Sequence, residues 1–340
     1  MKFLFLPGTD PYQNLATEDH LLSTYKQGDI LLLWCNDNTI VVGLHQNTHA
    51  EINACFVAER GISVVRRRTG GGAVYHDLGN LNFSVITNAT GTASDGMEAF
   101  TRPVVKALRV LGLDAQASGR NDITIDGFKV SGNAQALHKG RILHHGTLLF
   151  DSQLSVLGQA LTVRPEKLHC KGIQSVRGRV ANIRSLLQSD HAAMTMDDFS
   201  AHIVATITRN KFMSPLVLTD DDRHDITQLR QARYATREWN YGKSPRHNLS
   251  NTVKYPGGFL EVYLEVAADT ITSCRLYGDF MALRPVWELS RRLEGLRYDP
   301  EVIASFLATQ PVAEYFGSLT IAEIVDCLFG AGESAQKQAQ

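Results

Sequence analysis

The chain has 340 residues, a formal net charge of −1 and 44% hydrophobic residues. That length permits two domains with sizeable cores, and the near-neutral balance gives no global field to gather nucleic acid or an anionic membrane surface. No apolar run is long enough to span a bilayer, and the five cysteines, scattered and without CxxC spacing, fit free thiols in a reducing cytoplasm rather than a disulfide framework or a zinc site.

The opening, Met1-Lys2-Phe3-Leu4-Phe5-Leu6-Pro7, is too short for the apolar region of a signal peptide and reads as a first strand. Asp10-Pro11 opens a helical pattern that continues through Leu22, with proline in the first turn. Residues 30–34 and 39–42 read as a strand pair around the turn Asn36-Asp37-Asn38. A short helix is expected over 51–60, ending at Gly61, and a longer one over 96–111, ending at Gly112. Strands follow at 122–125, 128–136 and 141–150, the first two joined by the hairpin turn Asp126-Gly127. Helices are expected over 152–161, 195–210 and 224–236, and residues 167–183 read as a long loop. Residues 239–248 read as a linker. Beyond it, strands at 258–266 and 271–276 and helices near 285–294, 300–309 and 320–329 make a small α+β unit.

The most informative segment is Arg66-Arg67-Arg68-Thr69-Gly70-Gly71-Gly72-Ala73-Val74-Tyr75-His76-Asp77, set between strand-like runs at 62–65 and 81–86. Three glycines let backbone N–H groups approach a ligand without Cβ in the way, and the arginines supply forked donors for carboxylate or phosphate. The chemistry suggested is an anion held against bare backbone. Lys129, in the run Lys129-Val130-Ser131-Gly132, alternates with apolar Phe128 and Val130, so it is expected to face away from both. A lysine near the glycine loop can neutralise a carboxylate and a phosphate together. His144 and His145 are adjacent on a strand and so point to opposite faces, which suits orienting roles better than a shared metal. His45 and His49 lack the glutamate of a zinc-protease helix, and Gly242-Lys243-Ser244 lacks the earlier glycine of a P-loop.

Taken together, these segments resemble the lipoate–protein ligase family over essentially the whole chain. The signature Arg-Arg-x-Ser-Gly-Gly-Gly-Ala-Val-(Phe/Tyr)-His-Asp-Leu-Gly-Asn stands at Arg66 to Asn80 with Thr69 for serine. The Gly-Arg-Asn-Asp, Lys-Val-Ser-Gly and His-His-Gly-Thr-Leu-Leu elements stand at 119–122, 129–132 and 144–149, and the adenylate-binding loop at 171–182. One departure is Leu44, where the family often has arginine. The resemblance implies an α+β fold: a biotin-synthetase-like mixed-sheet catalytic domain over 1–245 and a small α+β accessory domain over 246–340.

It also implies a reaction. Lipoate attacks the α-phosphate of Mg²⁺-ATP to give lipoyl-AMP, and a lysine of an acceptor domain then takes the lipoyl group. Lys129 would be the catalytic electrostatic group. Arg67, Gly72, Ala73, Val74, Tyr75, Asn80, Lys129, Lys171 and Arg179 would bind the nucleotide, and Gly70, Gly71, His76, Lys129, Ser131 and His145 the lipoate. Mg²⁺ would arrive with ATP, with Asp122 the nearby protein carboxylate. Acceptors would be lipoyl domains of 2-oxoacid dehydrogenase complexes and glycine-cleavage H protein, in the cytoplasm, with no nucleic acid or membrane partner. Two rivals keep the same fold. One is an ATP-independent octanoyl or lipoyl carrier-to-carrier transferase, for which Cys170 beside the adenylate loop is the candidate nucleophile. The other is a non-catalytic lipoyl-binding protein, supported only by Leu44.

Overall fold

A computed structural model describes residues 1–89, 93–118, 121–161, 180–208, 213–242 and 247–330. By contacts the chain divides into two units: Met1–Val41, His49–Arg66 and Val74–Asn240 form one, and Val42–Thr48, Arg67–Ala73 and Tyr241–Gln340 the other.

The first unit is built on an eight-stranded mixed sheet. In chain order its strands are β1 (Lys2–Phe5), β2 (Ile30–Trp34), β6 (Asn80–Asn88), β7 (Ala115–Ser118), β8 (Asp122–Ile125), β9 (Phe128–His138), β10 (Arg141–Leu149) and β11 (Ser214–Pro215). Their spatial order is β11-β1-β2-β6-β10-β9-β8-β7. β1 runs parallel to β2 and β11, and the other pairs are antiparallel. The expected hairpin turn is present: Asp126 and Gly127 both take positive φ, 51° and 81°, as a tight two-residue connection requires.

Two helices, α4 (Ala93–Val110) and α6 (Met196–Ile207), cover one face, where Leu81, Phe83, Leu108, Leu148, Phe150 and Phe199 form a core; the short α5 (Leu154–Ala160) lies between them in sequence. On the opposite face α1 (Pro11–Thr24) packs Leu15, Leu21 and Leu22 against Leu32, Ile86 and Leu143. Asp10 caps α1 by accepting from Tyr12 and Gln13 N–H, closing donors that a helix start leaves open. A second sheet, ordered β4-β3-β5, joins β3 (Thr39–Val42), β4 (Ser63–Arg66) and β5 (Val74–His76).

Several expectations need correction. Residues 30–34 and 39–42 are strands but not partners: β2 already has β1 on one edge and β6 on the other, so β3 pairs with β4 and β5 instead. The helix over 51–60 is broken into α2 (Thr48–Glu51) and α3 (Ala54–Glu59), because Ile52 bridges to Leu161 and Asn53 caps the second piece. The helix expected from 224 starts earlier, as α7 (Asp220–Leu229), at a capping box formed by Thr219 and Asp222, and runs into a π-helical turn over Arg230–Tyr234. The front of the expected linker is the helix α8 (Arg237–Tyr241), with Asn240 buried. Most of the expected 167–183 loop lies outside the described residues.

The second unit has a sheet of β12 (Leu249–Tyr255), β13 (Gly258–Ala267) and β14 (Thr270–Gly278) packed by α9 (Trp287–Leu293), α10 (Pro300–Ala308), α11 (Val312–Phe316) and α12 (Ile321–Phe329). β12 escapes periodicity because Leu-Ser-Asn-Thr-Val-Lys-Tyr is a mostly exposed edge strand. Within this unit Gly278 N–H donates to His45 O at 2.7 Å and Gly71 N–H to Phe280 O at 3.3 Å. Among the described residues no helix is long and apolar enough to cross a membrane.

Candidate active site

Beyond the reach of α1, the sheet face that carries Ser84 continues with polar groups. Strand register places Asn80, Asn82 and Ser84 of β6 and His145 and Thr147 of β10 on this face. Gly132 of β9 lies next to Thr147, its N–H donating to Thr147 Oγ1 at 3.2 Å, and Asp122 of β8 is opposite Gly132. The register then slips: Ile123 pairs with Ser131 but Thr124 with Lys129, so Val130 is an extra residue. The bulge breaks simple alternation. Val130 turns into the core, and Lys129 reaches the same face as Gly132. The Lys129 ammonium stands 3.3 Å from where a Cβ on Gly132 would lie and pairs with Asp122 at 2.7 Å. The two side chains are 36% and 33% exposed, so the pair is open to incoming anions.

Two main-chain features hold Lys129 in place. Ala181 N–H donates to Lys129 O at 3.1 Å, and Val180 forms a parallel bridge with Lys129. Asn182 is clamped to Ser152, donating to its O at 2.9 Å and accepting its N–H at 3.0 Å. Ser152 in turn adjoins the Asp77–Gly79 turn: Asp77 accepts from Gly79 and Gln153 N–H at 2.9 and 2.6 Å. A Cβ on Gly79 would collide with Asp151 O. The glycine is there because two backbones meet.

His145 is fixed by a buried network that the sequence reading missed. Its Nδ1–H donates to Glu18 at 3.0 Å, Ser84 Oγ donates to the same carboxylate at 2.5 Å, and Trp34 Nε1–H donates to Ser84 at 3.1 Å. An ionised carboxylate only accepts, so Glu18 sets the tautomer of His145. Sequence gives little sign of it: Glu18-Asp19-His20 are three consecutive ionisable groups in a helix that also carries Gln13, Asn14 and Thr17, and only the fold shows that all three are buried. The neighbouring His144 points the other way, stacking on Phe100 at 4.7 Å. Burial, reinforced by His145, lowers its pKa to about 3, so it stays neutral.

The glycine loop has its own internal bracing. Arg67 folds over it, donating to Thr69 Oγ1, Gly70 O and Gly72 O at 2.9, 2.6 and 2.9 Å. Leu44 N–H holds Thr69 O at 2.8 Å. Gly71 takes φ +88°, a conformation that disfavours any side chain. A Cβ on Gly43 would strike Gly71 O. Gly72 is exposed and Ala73 and Val74 are half-buried. Val74 and Tyr75 lie in β5, an edge strand of its sheet, so one row of their backbone groups is not used by the ladder. Tyr75 donates its hydroxyl to Asn38 at 3.1 Å. Burial, with Asp77 and Asp37 nearby, raises its pKa to about 12. His76 is buried, with Nδ1 3.3 Å from Asn36 Nδ2.

Asn80 is fully buried. It donates to Asn82 Oδ1 at 3.1 Å, while its own Oδ1 has no partner among the described residues. Ser131, expected beside the substrate, belongs to the core side of β9: it is fully buried and its hydroxyl accepts from Asn133 at 3.2 Å. The bulge explains this, since it turns Lys129 and Gly132 to one face and Ser131 to the other. Lys171, Arg179 and Cys170 lie outside the described residues. Among the described residues no three His, Cys, Asp or Glu side chains converge as a metal-binding group. Asp122 is the carboxylate beside Lys129.

Comparison with known proteins bears on this arrangement. The family described as "Lipoyl protein ligase A/B catalytic domain" matches residues 10–208, and "Bacterial lipoate protein ligase C-terminus" matches 244–328. The lipoate-protein ligase LplJ of Bacillus subtilis is 42% identical over 94% of this chain and 97% of its own. Lipoate–protein ligase 1 of Staphylococcus aureus is 38% identical over 93% and 96%. Among solved structures, P. falciparum LipL1 in complex with lipoate has a TM-score of 0.77 at 24% identity, covering 91% of this chain and 94% of that one. A lipoate-protein ligase A bound with ATP has a TM-score of 0.61 at 28% identity, covering 71% and 97%. A bipartite ligase from Thermoplasma acidophilum, described with its E2 lipoyl domain, has a TM-score of 0.62 at 29% identity, covering 73% and 98%.

Proposed function

Because the chain belongs to the lipoate–protein ligase family and is a lipoate–protein ligase, we propose that its site performs both halves of the reaction on the Lys129 face. The observation that carries this is the Lys129 ammonium laid over Gly132, a third exposed, on the face shared with Thr147. Lipoate carboxylate and ATP are both anions and repel each other. Lys129 holds the carboxylate and an α-phosphate oxygen together and offsets the charge that builds as they approach. Asp122 holds the amine until the substrates compete for it. The carboxylate oxygen bonds to the α-phosphorus and pyrophosphate leaves. The neutral amine of an acceptor lysine then bonds to the acyl carbon, AMP leaves and the amine loses a proton.

Gly72, Ala73, Val74 and Tyr75 present backbone to the nucleotide, and Asn80 offers its open acceptor to the base. Arg67 braces the loop and meets phosphate through it. Lys171 and Arg179 complete the nucleotide set. Gly70, Gly71, His76 and His145 form the lipoate side, with His145 oriented by Glu18. Mg²⁺ bound with ATP would supply charge neutralisation at the phosphates, and Asp122 is the carboxylate near Lys129 that would help to hold it. The domain boundary is placed at 245/246; the catalytic family match ends at 208 and the C-terminal match begins at 244. Acceptors are lipoyl domains of 2-oxoacid dehydrogenases and glycine-cleavage H protein, met in the cytoplasm.

Carrier-to-carrier transfer is not favoured: the matched C-terminal family is that of lipoate ligases. Burial, aided by nearby acidic groups, raises the thiols of Cys35 to about 11 and of Cys274 and Cys327 to about 12, so these are not thiolate nucleophiles at neutral pH. The test is pyrophosphate release by the purified chain. It must require lipoate and ATP together. Lipoyl transfer from a donor carrier without ATP would overturn the proposal.

A further inference from the structure

The three arginines that open the glycine loop do not have one role. Arg67 folds over the loop, as described. Arg66 is 7% exposed and is held by a different part of the chain. Its N–H donates to Asn240 Oδ1 at 2.9 Å, its Nε to Trp239 O at 2.9 Å and its Nη2 to Asn240 O at 3.1 Å. Its own carbonyl accepts from Trp239 Nε1–H at 2.9 Å. Both backbone groups and the guanidinium of one residue are therefore fastened to two consecutive residues far along the chain.

Those two residues are themselves braced. Asn240 is 3% exposed and donates from Nδ2 to Tyr234 O at 2.7 Å, at the end of the π-helical turn. Tyr234 donates its hydroxyl to buried Asp19 at 3.0 Å, and Arg233 pairs with the same carboxylate at 2.8 Å. The Trp239 ring meets Tyr234 edge-on at 6.0 Å and lies under Arg233 at 5.1 Å. A π-helical turn costs backbone geometry and recurs at functional positions. Here the turn ends at Tyr234, whose carbonyl and ring hold Asn240 and Trp239, and those two residues receive Arg66.

We propose that Trp239 and Asn240 are positioning residues for the anion-binding loop, acting through Arg66. Arg66 is the last residue of β4, and Arg67 begins the loop. Fixing the Arg66 amide, carbonyl and side chain sets the direction in which the loop leaves the sheet. Groups that bind reacting anions must be held within about 0.5 Å of the productive geometry, and a three-glycine segment has little stiffness of its own. Arg67 and Leu44 brace the loop from within, and the clasp adds to this by fixing the point from which the loop departs. Arg66 is thus not an anion ligand, although its charge and place in the motif suggest one.

The inference rests on the ligase reading for its kinetic consequence but not for its structural one, so both are measured on the full-length chain. Asn240→Leu, Trp239→Phe, Arg66→Lys and Arg66→Met are compared by hydrogen–deuterium exchange over residues 66–74, thermal melting and steady-state pyrophosphate release. Asn240→Leu should speed exchange across the loop and raise the KM for ATP about tenfold or more, within the range that a misplaced site costs. Trp239→Phe keeps an aromatic ring, though a smaller one, and loses the Nε1–H bond to Arg66 O, so it should fold and show a smaller change in the same direction. Arg66→Lys should be as impaired as Arg66→Met, because an ammonium cannot make the forked contacts. Rescue by Arg66→Lys would make Arg66 a charge contact and overturn the proposal. So would wild-type exchange and KM in a folded Trp239→Phe or Asn240→Leu, even with a lowered melting temperature. If the unaltered chain releases no lipoate-dependent pyrophosphate, the ligase reading fails, and the exchange data still decide the clasp.

Discussion

Lys129→Ala separates catalysis from stability. Among the described residues Lys129 makes one ion pair, with Asp122 at 2.7 Å, and both side chains are about a third exposed. Double-mutant measurements put such pairs at about 0.2–1 kcal/mol, and screening at this exposure favours the low end. Truncation also leaves no cavity in the core, since Lys129 lies over Gly132 at the open face. The expected loss of stability is therefore under about 1 kcal/mol. The kinetic loss is of a different size. Removing one preorganised group that meets charge developing in the transition state costs on the order of 10²–10³ in rate, or about 3–4 kcal/mol. The assay is lipoate-dependent pyrophosphate release, read beside urea denaturation of the same preparation. The half-reactions are then compared by supplying lipoyl-AMP. Asp122→Asn removes the competitor for the amine and should cost less than Lys129→Ala. A folded Lys129→Ala protein with near-normal turnover would remove Lys129 from the mechanism. So would a loss of activity matched by an equal loss of stability.

Three further outcomes follow from particular contacts. Gly79→Ala should lower stability by about 1–3 kcal/mol, the usual range for overpacking, because its Cβ would meet the backbone of Asp151 and Ser152; an unchanged melting temperature would show that the two backbone segments can part without cost. Asp222 joins α7 to α1 through His20 at 2.8 Å. Burial raises its pKa, but hydrogen bonds from His20 and Thr219 outweigh that and bring it to about 2 from 3.8. A depressed carboxylate stabilises the fold above its unfolded pKa, so the difference in unfolding free energy between the unaltered chain and Asp222→Asn should be about 2 kcal/mol at pH 5 and vanish as the pH falls from about 4 toward 2. A gap independent of pH would assign it to packing. Single serine substitutions at Cys35, Cys55, Cys170, Cys274 and Cys327 should all leave ATP-dependent ligation standing, measured on folded protein, because an adenylate route needs no thiolate; loss of transfer in Cys170→Ser alone would favour the carrier-to-carrier mechanism.

What could be read from the sequence was local. Lys129, Gly132 and Asp122 lie within one hairpin, and the Asp126-Gly127 turn fixes that hairpin by its own backbone preference. The glycine loop is legible for the same reason, since its φ values and bare backbone are properties of the residues themselves. Long-range pairing was not legible. β3 has the composition of a partner for β2, and only the competition of β1 and β6 for the edges of β2 sends it elsewhere. The bulge at Val130 was hidden because one inserted residue leaves no mark on composition, yet it decides that Ser131 faces the core and Lys129 the open face.

The largest error lay at residues 239–241. Their polar, aromatic and glycine-punctuated surroundings look like a linker, because linkers and sockets use the same residues. A linker leaves its polar groups to water, whereas the buried Asn240 side chain spends its oxygen on Arg66 N–H and its Nδ2 on Tyr234 O, and its carbonyl accepts from the Arg66 guanidinium. That difference lies entirely in which partners arrive from elsewhere in the chain, more than 170 residues away for Arg66. The same holds for Glu18: as a helix residue it is ordinary, and it becomes part of the site only because Ser84 and His145 come from strands that the sheet order sets side by side. In this protein the groups nearest the proposed chemistry announce themselves in sequence, and the groups that hold them still do not.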